Sequence, residues 1–319
     1  MTNNACLIFN PVAGQGNAEQ DLALIESILK PEIALDIVTT TAKTDIGELV
    51  KEAIARGANS VIASGGDGTL SAVAAALINT NIPLGVIPRG TANAFANALN
   101  LPTNIADACT AIVAGGIQVV DMARCNGVPL VLFAGIGFGA ETIDAADRDS
   151  KNRLGMLAYI LAGLDQLRHY EQFEVEIETE DRVITVSAAA ITIANAAPAS
   201  SILAQGSAGV IFDDGLLDLT ILAPVSALQA IATSYDLLSS TFRGNASQRE
   251  DVGFLRARRF KVTTTPPQKV VLDGEIVGTT PIDVECIPDS LSVFSPQVAK
   301  SQPLEKLEGL PNLKIDSKV

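Results

Sequence analysis

The chain has 319 residues, of which 48% are hydrophobic and 18% are charged, and its formal net charge is −14. This length and composition suit two globular domains with sizeable cores and exclude a disordered chain. The acidic balance argues against a general nucleic-acid-binding protein, because such proteins neutralise phosphates with clustered lysine and arginine. It argues equally against adhesion to anionic membranes through a polybasic surface.

The N-terminus and the apolar segments predict neither export nor membrane insertion. Met1 is followed by polar residues and then directly by a strand-like run, without a basic region or a cleavage pattern. Longer apolar stretches such as Val128–Ala140 fall short of the roughly 20 residues that span a bilayer. The four cysteines are scattered without CxxC spacing, which indicates reduced, buried thiols. We expect a cytoplasmic protein without a transmembrane segment.

Up to about residue 125, short apolar runs typical of strands alternate with segments of helical period. The predicted strands are Cys6–Phe9, Leu35–Thr40, Ser60–Ala63, Leu84–Ile87 and Gln118–Ala123. The predicted helices are Glu19–Leu29, Asp45–Arg56, Leu70–Ile78 and Asp107–Val113. This alternation predicts an α/β domain over residues 1–125, with a parallel sheet whose ligands lie beyond the carboxyl ends of its strands.

From about residue 126 the chain changes to many short alternating runs separated by turn signals. The runs are Glu174–Glu178, Val183–Ala194, Leu216–Leu222, Arg259–Thr264, Lys269–Leu272, Ile282–Cys286 and Leu291–Phe294. They predict a mainly antiparallel β-sandwich over residues 126–297. Helical period is present only in Leu154–Arg168 and Ser226–Ser240. The polar tail, residues 298–319, is expected either to fray or to pack back on the first domain.

Three glycine-rich loops follow strands of the predicted parallel sheet: Asn10–Gly16, Gly65–Gly68 and Arg89–Asn93. Glycines let the backbone approach a ligand, and N–H groups at the start of a helix bind phosphate oxygens. Asp67 lies inside the second loop, where a carboxylate repels phosphate unless a cation separates them. This loop therefore predicts magnesium, although its spacing alone is equally compatible with a structural strand-to-helix turn. No P-loop motif occurs in the chain.

The loop Gly65–Thr69 resembles the GGDGT motif of the diacylglycerol kinase catalytic-domain family, which includes bacterial soluble lipid kinases, sphingosine kinases and, more distantly, NAD kinases. Asn10–Gly14 is similar to the family's NPxxG loop, and Pro88–Asn93 is similar to its PxGTxN loop. Further on, Asp213–Asp218 resembles DDGxxD and Asp273–Glu275 resembles DGE. The motifs occur in the family's order and together cover nearly the whole chain.

The resemblance implies roles at the matching positions. ATP would be held by Asn10, Pro11, Gly14, Thr40, Gly65, Gly66, Asp67, Gly68, Thr69, Thr91 and Asn93. Asp67 would belong to the magnesium network, Glu275 would be the base for the acceptor hydroxyl, and Asp273 would be a further catalytic carboxylate. Asp214 would hold a structural magnesium with the backbone carbonyls of Ile211 and Leu216. Without the resemblance, Asp273–Glu275 would be interpreted as an ordinary hairpin turn, and Asp213–Asp218 as an ordinary turn capped by aspartate side chains.

One residue departs from the bacterial pattern. Ala94 stands where bacterial members usually have aspartate, so one proposed member of the magnesium network is missing. Sphingosine and ceramide kinases are similar in having a small residue there, so the departure does not exclude catalysis and hints at a different acceptor. A competing GxGxxA loop at Gly135–Ala140 is a poor dinucleotide site, because the charged segment after it lacks the apolar stripe of a Rossmann helix.

The predicted function is ATP- and magnesium-dependent phosphorylation of a hydroxyl on diacylglycerol or a sphingoid-like lipid, by a cytoplasmic protein that works peripherally at the membrane. A kinase for a small soluble acceptor such as NAD is one alternative. A nucleotide-binding regulatory protein without catalysis, which Ala94 would suit, is another. A homodimer is compatible with the sequence. The basic residues Arg256, Arg258, Arg259 and Lys261 form either a solvated strand face or a lipid head-group patch.

Overall fold

The computed structural model describes residues 4–14, 16–137, 172–198, 209–224, 247–296 and 305–318, with isolated positions between 226 and 237. The chain divides into two compact units. The first contains Met1–Met122 and Pro288–Ala299, and the second contains Ala123–Ile287 and Lys300–Val319. The predicted fold class is confirmed, because the first unit carries a parallel sheet and the second carries antiparallel sheets.

The first unit alternates strands and helices. Its elements are β1 (Asn4–Phe9), α1 (Ala18–Leu29), β2 (Ala34–Thr39), α2 (Ile46–Ala55), β3 (Ser60–Gly65), α3 (Asp67–Leu77), β4 (Leu84–Pro88), α4 (Ala94–Ala98) and α5 (Ile105–Ala114). Strand β1 pairs in parallel with β2 and β3, and β3 pairs in parallel with β4. The strand order β2-β1-β3-β4 reverses its direction of winding between β1 and β3, and ligands of open α/β sheets bind at such a point.

Local sequence accounts for the ends of these helices. Asn17, Asp45 and Asn104 each accept a hydrogen bond from a backbone N–H in the first turn of α1, α2 and α5. Helix α5 ends at Gly115, whose φ of 72° favours glycine. Strands β3 and β4 are buried along their whole length, as expected for a parallel sheet covered on both faces. The core of this unit includes Leu7, Ile25, Ile62, Ile87 and Ile112.

The second unit is built from strands. They are β5 (Ile117–Cys125), β6 (Val128–Leu130), β7 (Phe133–Gly137), β8 (Phe173–Glu178), β9 (Arg182–Ala188), β10 (Ala190–Ala194), β11 (Leu217–Leu222), β12 (Val252–Ala257), β13 (Arg259–Thr265), β14 (Lys269–Leu272), β15 (Glu275–Thr279), β16 (Ile282–Phe294) and β17 (Lys314–Ser317); β5 begins and β16 ends in the first unit. One sheet contains β17, β9, β8, β13 and the start of β16. The other has the order β12-β11-β10-β7-β14-β15. Inward side chains of both sheets, such as Val186, Ile193 and Phe260, form one hydrophobic core.

Strand β16 joins two runs that the sequence separates. Pro288 and Asp289 resemble a turn, yet the chain continues as a strand while Asp289 adopts a φ of 51°. The N–H of Asp289 donates to Asp121 Oδ1 at 2.8 Å, so the first unit holds the irregular point. Beyond it Val293 pairs with Leu84, which explains why residues 288–299 belong to the first unit rather than the second.

The C-terminal tail also differs from the expectation that it frays or packs on the first domain. Lys300–Val319 belongs to the second unit, where β17 adds antiparallel to β9. Helix α4 was not predicted, since its five residues carry no helical period that a sequence pattern could detect. The predicted helix Leu154–Arg168 lies outside the described residues, and most of Ser226–Ser240 does as well.

None of the described helices combines the length and the apolar character needed to cross a membrane, and the longest of them, α1, has 12 residues. None of the four cysteines forms a disulfide, and Cys6, Cys109 and Cys125 are buried. Burial raises the pKa of Cys6 to about 11 and that of Cys109 to about 12, so both thiols stay protonated at neutral pH.

Candidate nucleotide-binding and catalytic residues

Backbone hydrogen bonds join the loops at the carboxyl edge of the parallel sheet. The N–H of Asn10 donates to the carbonyl of Ser64 at 2.8 Å, and the N–H of Thr40 donates to the carbonyl of Phe9 at 2.9 Å. The N–H of Arg89 donates to the carbonyl of Gly65 at 2.7 Å. The structure therefore brings together the loops after β1, β2, β3 and β4, which contain every residue that the resemblance assigns to ATP.

The side chain of Asn10 links the first of these loops to helix α3. Its Nδ2 donates to Thr69 Oγ1 at 2.9 Å, while its Oδ1 accepts from the N–H of Val12 at 3.1 Å. The amide is thus fully oriented by the protein, and the loop after β1 is anchored to the first turn of the helix. Val12 itself is 88% exposed, although it is apolar.

The glycines hold the backbone close where the loops meet. A Cβ at Gly65 would lie 2.8 Å from Thr69 Cβ, and one at Gly90 would lie 3.1 Å from Gly66 Cα. At Gly68, in contrast, a Cβ would have no protein atom within 4 Å. The N-cap of helix α3 is Gly66, which has no side chain to accept from the first N–H groups of the helix. The N–H groups of Thr69 and Leu70 donate to the carbonyl of Gly66 at 3.0 and 3.1 Å. A helix N-terminus capped by glycine lets a phosphate approach the backbone closely.

Asp67 connects the GGDGT loop to the PxGTxN loop. Its Oδ1 accepts from the N–H of Phe95 at 3.1 Å, in the first turn of α4. The usual capping residue, Asn93, has a φ of 48° and makes no cap bond, so Asp67 caps this helix from a neighbouring loop. Burial raises the pKa of Asp67, and the backbone N–H groups of Phe95, Ala94 and Asn93 partly offset that shift.

The residues around Asp67 suit a magnesium–triphosphate group. Asn93 Oδ1 is a buried acceptor without a hydrogen-bond partner among the described residues. A carboxylate and an amide oxygen next to a helix N-terminus provide ligands for a hard cation and donors for phosphate. Position 94 is alanine, so it adds no carboxylate to this set. Asp67 and Asn93 would hold the cation, and Gly66–Thr69 would hold the phosphates.

Arg89 is a functional candidate to which the sequence patterns assign no role. It is 5% exposed. Its Nε donates to Asp21 Oδ2 at 2.8 Å, its Nη1 donates to the carbonyl of Asn10 at 2.8 Å, and its guanidinium lies 4.4 Å from the centre of the Phe9 ring. This buried guanidinium fixes the loop after β1 from the end of β4. A charged residue directly after a fully apolar strand was the available signal.

In the second unit, Glu275 is the first residue of β15. The two preceding residues, Asp273 and Gly274, have φ values of 48° and 93°, as a two-residue hairpin turn requires. Leu272 and Glu275 are paired across that turn. The side chain of Glu275 is exposed, whereas β14 is buried over Val270–Leu272. The base candidate thus lies at the tip of a hairpin that is anchored on one strand only.

The carboxylate of Asp273 is used to hold backbone. Its oxygens accept from the N–H groups of Val131, Leu132 and Phe133 at 2.9, 2.8 and 3.1 Å. The N–H of Asp273 donates to the carbonyl of Phe133 at 3.1 Å. Burial raises the pKa of Asp273, while these donors favour its ionised form. These contacts suit a residue that positions the Glu275 hairpin better than a second catalytic carboxylate.

Three of the four basic residues that raised the question of a lipid patch, Arg256, Arg259 and Lys261, face carboxylates. Arg256 contacts Asp214 and Asp218, and Lys261 Nζ lies 3.7 Å from Glu178. Arg259 Nε donates to Asp283 Oδ1 at 2.7 Å. With their charges neutralised within the protein, these residues offer little to an anionic head group.

The competing glycine loop at Gly135–Ala140 begins in strand β7. That strand pairs antiparallel with β10 and β14, whereas a dinucleotide site requires a parallel crossover. The pairing of β7 therefore does not support a dinucleotide site at this loop.

A parallel α/β unit with a carboxylate among glycine-rich loops, followed in one chain by an antiparallel β unit, is the architecture expected of a nucleotide-dependent phosphotransferase. The family comparisons agree. The diacylglycerol kinase catalytic domain matches residues 4–125, and the YegS C-terminal NAD kinase beta sandwich-like domain matches residues 133–295. The chain belongs to the family of diacylglycerol kinases and YegS-like lipid kinases.

Individual relatives match over most of their length. The diacylglycerol kinase of Bacillus subtilis is 30% identical, with 87% of this chain and 91% of the relative covered. An uncharacterized protein of Synechocystis sp. is 51% identical, with 92% of this chain and 71% of the relative covered. The crystal structure of a diacylglycerol kinase from Bacillus anthracis superposes with a TM-score of 0.76 at 27% identity, covering 92% of this chain and 97% of that one.

Arg89→Lys tests the role of the buried guanidinium. An ammonium group can keep the contact with Asp21 but cannot also reach the Asn10 carbonyl in the same geometry. Loss of a charged hydrogen bond corresponds to about tenfold weaker ATP binding, measured by calorimetric titration. Arg56→Lys is the matched control, because Arg56 is half exposed and pairs with Asp36 at the surface. Equal ATP affinities in both variants would contradict the assignment.

Asp273→Asn tests whether that carboxylate positions the hairpin. An amide offers one acceptor oxygen to N–H groups that now share two, so we expect the free energy of unfolding to fall by about 1–3 kcal/mol. ATP binding should be unchanged, because the ATP-binding residues belong to the first unit. Asp289→Asn is the control, since Asp289 also has positive φ but an exposed side chain. Urea denaturation and ATP titration of both variants provide the comparison, and unaltered stability of Asp273→Asn would count against the role.

Proposed function

We propose that the protein is an ATP- and magnesium-dependent lipid kinase that phosphorylates a hydroxyl of diacylglycerol or a related lipid at a membrane surface. Family membership supports a kinase, and the names of the relatives support a lipid acceptor. The observation that carries the proposal is the position of Asp67. A half-buried carboxylate beside the glycine-capped start of helix α3 and the glycine loops is stable next to phosphate only when a cation lies between them.

In this proposal the first unit holds the nucleotide. Mg²⁺, when bound, neutralises the triphosphate charge and favours departure of ADP. Asp67 and Asn93 orient the cation, the first turn of α3 binds phosphate oxygens, and Arg89 keeps the loop after β1 in place. Phosphoryl transfer demands mainly positioning and charge stabilisation from the protein, so this rigid set of loops supplies most of what catalysis needs.

Glu275 is the proposed base in the second unit. Its carboxylate would accept the proton of the acceptor hydroxyl while that oxygen bonds to the γ-phosphorus and the bond to ADP breaks. Exposure at the tip of an anchored hairpin suits this task, because the carboxylate is available to a substrate. The proposal requires Glu275 to reach the γ-phosphate held by the first unit during turnover.

Two other functions have a specific observation behind them. The second unit matches a domain described as NAD kinase beta sandwich-like, which favours a kinase for a small soluble acceptor. Ala94 lacks the carboxylate of bacterial members and favours a nucleotide-binding protein without catalysis. The three functions differ in which acceptor, if any, the purified protein phosphorylates.

The first experiment incubates the protein with γ-labelled ATP and Mg²⁺, and adds a total lipid extract, NAD or no acceptor in parallel. We expect label in a chloroform-soluble product only with the lipid extract. Asp67→Ala is the control, and it should abolish the product because the cation loses its carboxylate. Label on NAD would establish the soluble-acceptor function, and tight ATP binding without any labelled product would establish the regulatory one.

Glu275→Gln tests the base in the same assay. A general base contributes about 10²–10⁴-fold, so we expect kcat to fall by about a hundredfold or more while KM for ATP stays within about twofold. Glu285→Gln is the matched control, since Glu285 is an exposed carboxylate on another strand of the same unit. A fully active Glu275→Gln enzyme would remove the assignment.

A further inference from the structure

Arg256 lies between two carboxylates at the start of strand β11. It stands directly opposite Asp218 in the antiparallel pairing of β11 with β12. Arg256 Nε donates to Asp218 Oδ1 at 3.1 Å, and Arg256 Nη2 contacts Asp214 Oδ2. The side chains of Arg256, Asp214 and Asp218 are 12%, 23% and 4% exposed, so the pairing is shielded from water. A shielded, two-carboxylate pairing differs from an ordinary surface ion pair.

Asp214 has both carboxylate oxygens engaged. Oδ2 meets the guanidinium, and Oδ1 accepts from the N–H of Leu216 at 3.1 Å within the same turn. A structural magnesium on Asp214, with the carbonyls of Ile211 and Leu216, would have to bind a carboxylate whose Oδ2 already has a cationic partner and whose Oδ1 already accepts a hydrogen bond. Magnesium also demands a near-octahedral shell about 2.0–2.1 Å from each ligand, which the adjoining guanidinium crowds and repels. The residues present do not fit a metal ion at this turn.

We infer that Arg256 is a built-in cation that takes the place of the structural magnesium in this chain. The guanidinium is always protonated and bridges two carboxylates, so it links the turn at Asp214 to strands β11 and β12 without a dissociable ion. The second unit then keeps its stability when divalent cations are removed. Magnesium is needed, if at all, only by the nucleotide site of the first unit.

Thermal unfolding of the full chain without nucleotide tests the inference, in millimolar Mg²⁺ and in EDTA. We expect the wild type to have the same Tm in both. Arg256→Gln leaves two carboxylates without their cation, and its Tm in EDTA should fall by on the order of 5 °C. Mg²⁺ should restore much of that loss, because the vacated carboxylates now form a metal site. A wild-type Tm that falls in EDTA would overturn the inference.

Two further variants separate this site from other effects. Arg259→Gln removes an arginine from a more exposed pair with Asp283 and should give a smaller fall without rescue by Mg²⁺. Adding Asp214→Asn to Arg256→Gln should abolish the rescue, since Mg²⁺ acting elsewhere would survive that change. An Arg256→Gln protein whose Tm is indifferent to Mg²⁺ would show that the arginine does not stand in for a metal.

A measurement without any Arg256 variant decides the matter if Arg256→Gln fails to fold. Calorimetric titration of Mg²⁺ into the wild type and into Asp214→Asn compares uptake with this carboxylate intact and removed. Identical isotherms are expected, because Asp214 binds no Mg²⁺ in the presence of Arg256. One additional site in the wild type would overturn the inference.

Discussion

The first unit depends on an electrostatic constraint at Asp67. A partly buried carboxylate is costly to ionise, and burial raises the pKa of Asp67 accordingly. The surrounding backbone compensates part of that cost, because the N–H of Phe95 donates to this carboxylate. The same hydrogen bond fixes α4 and the PxGTxN loop relative to α3. The Asp67 side chain thus determines both the local electrostatics and the relative positions of these two loops.

The arrangement around that carboxylate follows from strand geometry. Parallel strands end at one edge, so the loops after β1, β3 and β4 are brought within hydrogen-bonding distance of one another before any side chain is considered. Arg89 then adds a side-chain contact between the first and last of these loops. Glycine at position 65 avoids a clash, because a Cβ there would lie 2.8 Å from Thr69 Cβ, and a Cβ at Gly90 would make a tight contact of 3.1 Å with Gly66 Cα.

Much of this was predictable from the sequence, for a physical reason. The strands and helices of the first unit have strong apolar periodicity, and the glycine loops lie at strand ends, so both the parallel sheet and the loop cluster could be predicted. Helix α4 could not, because it is too short for a periodic pattern and is capped by Asp67, which lies 28 residues before its partner Phe95. Nor could Arg89, whose partners become neighbours only when the loops fold together. Pro288 and Asp289 are the opposite case. Their residue types are typical of a turn, yet they lie within the single long strand β16.

In the second unit, too, contacts between residues far apart in the sequence could not be predicted. Asp273 lies more than a hundred residues from the backbone N–H groups that it accepts from, and Arg256 pairs with Asp218 through strand register. The Asp-Gly pair predicted the hairpin but not its anchoring.

Strand β15 is the edge of its sheet in the described part of the chain, and all five of its residues are exposed, with Ile276 at 45% and Val277 at 52%. A free apolar edge of this kind invites a strand from another molecule. Two irregularities oppose such pairing here: a register shift between Val270 and Val271, and a φ of 150° at Gly278. The hairpin that carries Glu275 is therefore a poor template for the addition of a strand from another molecule.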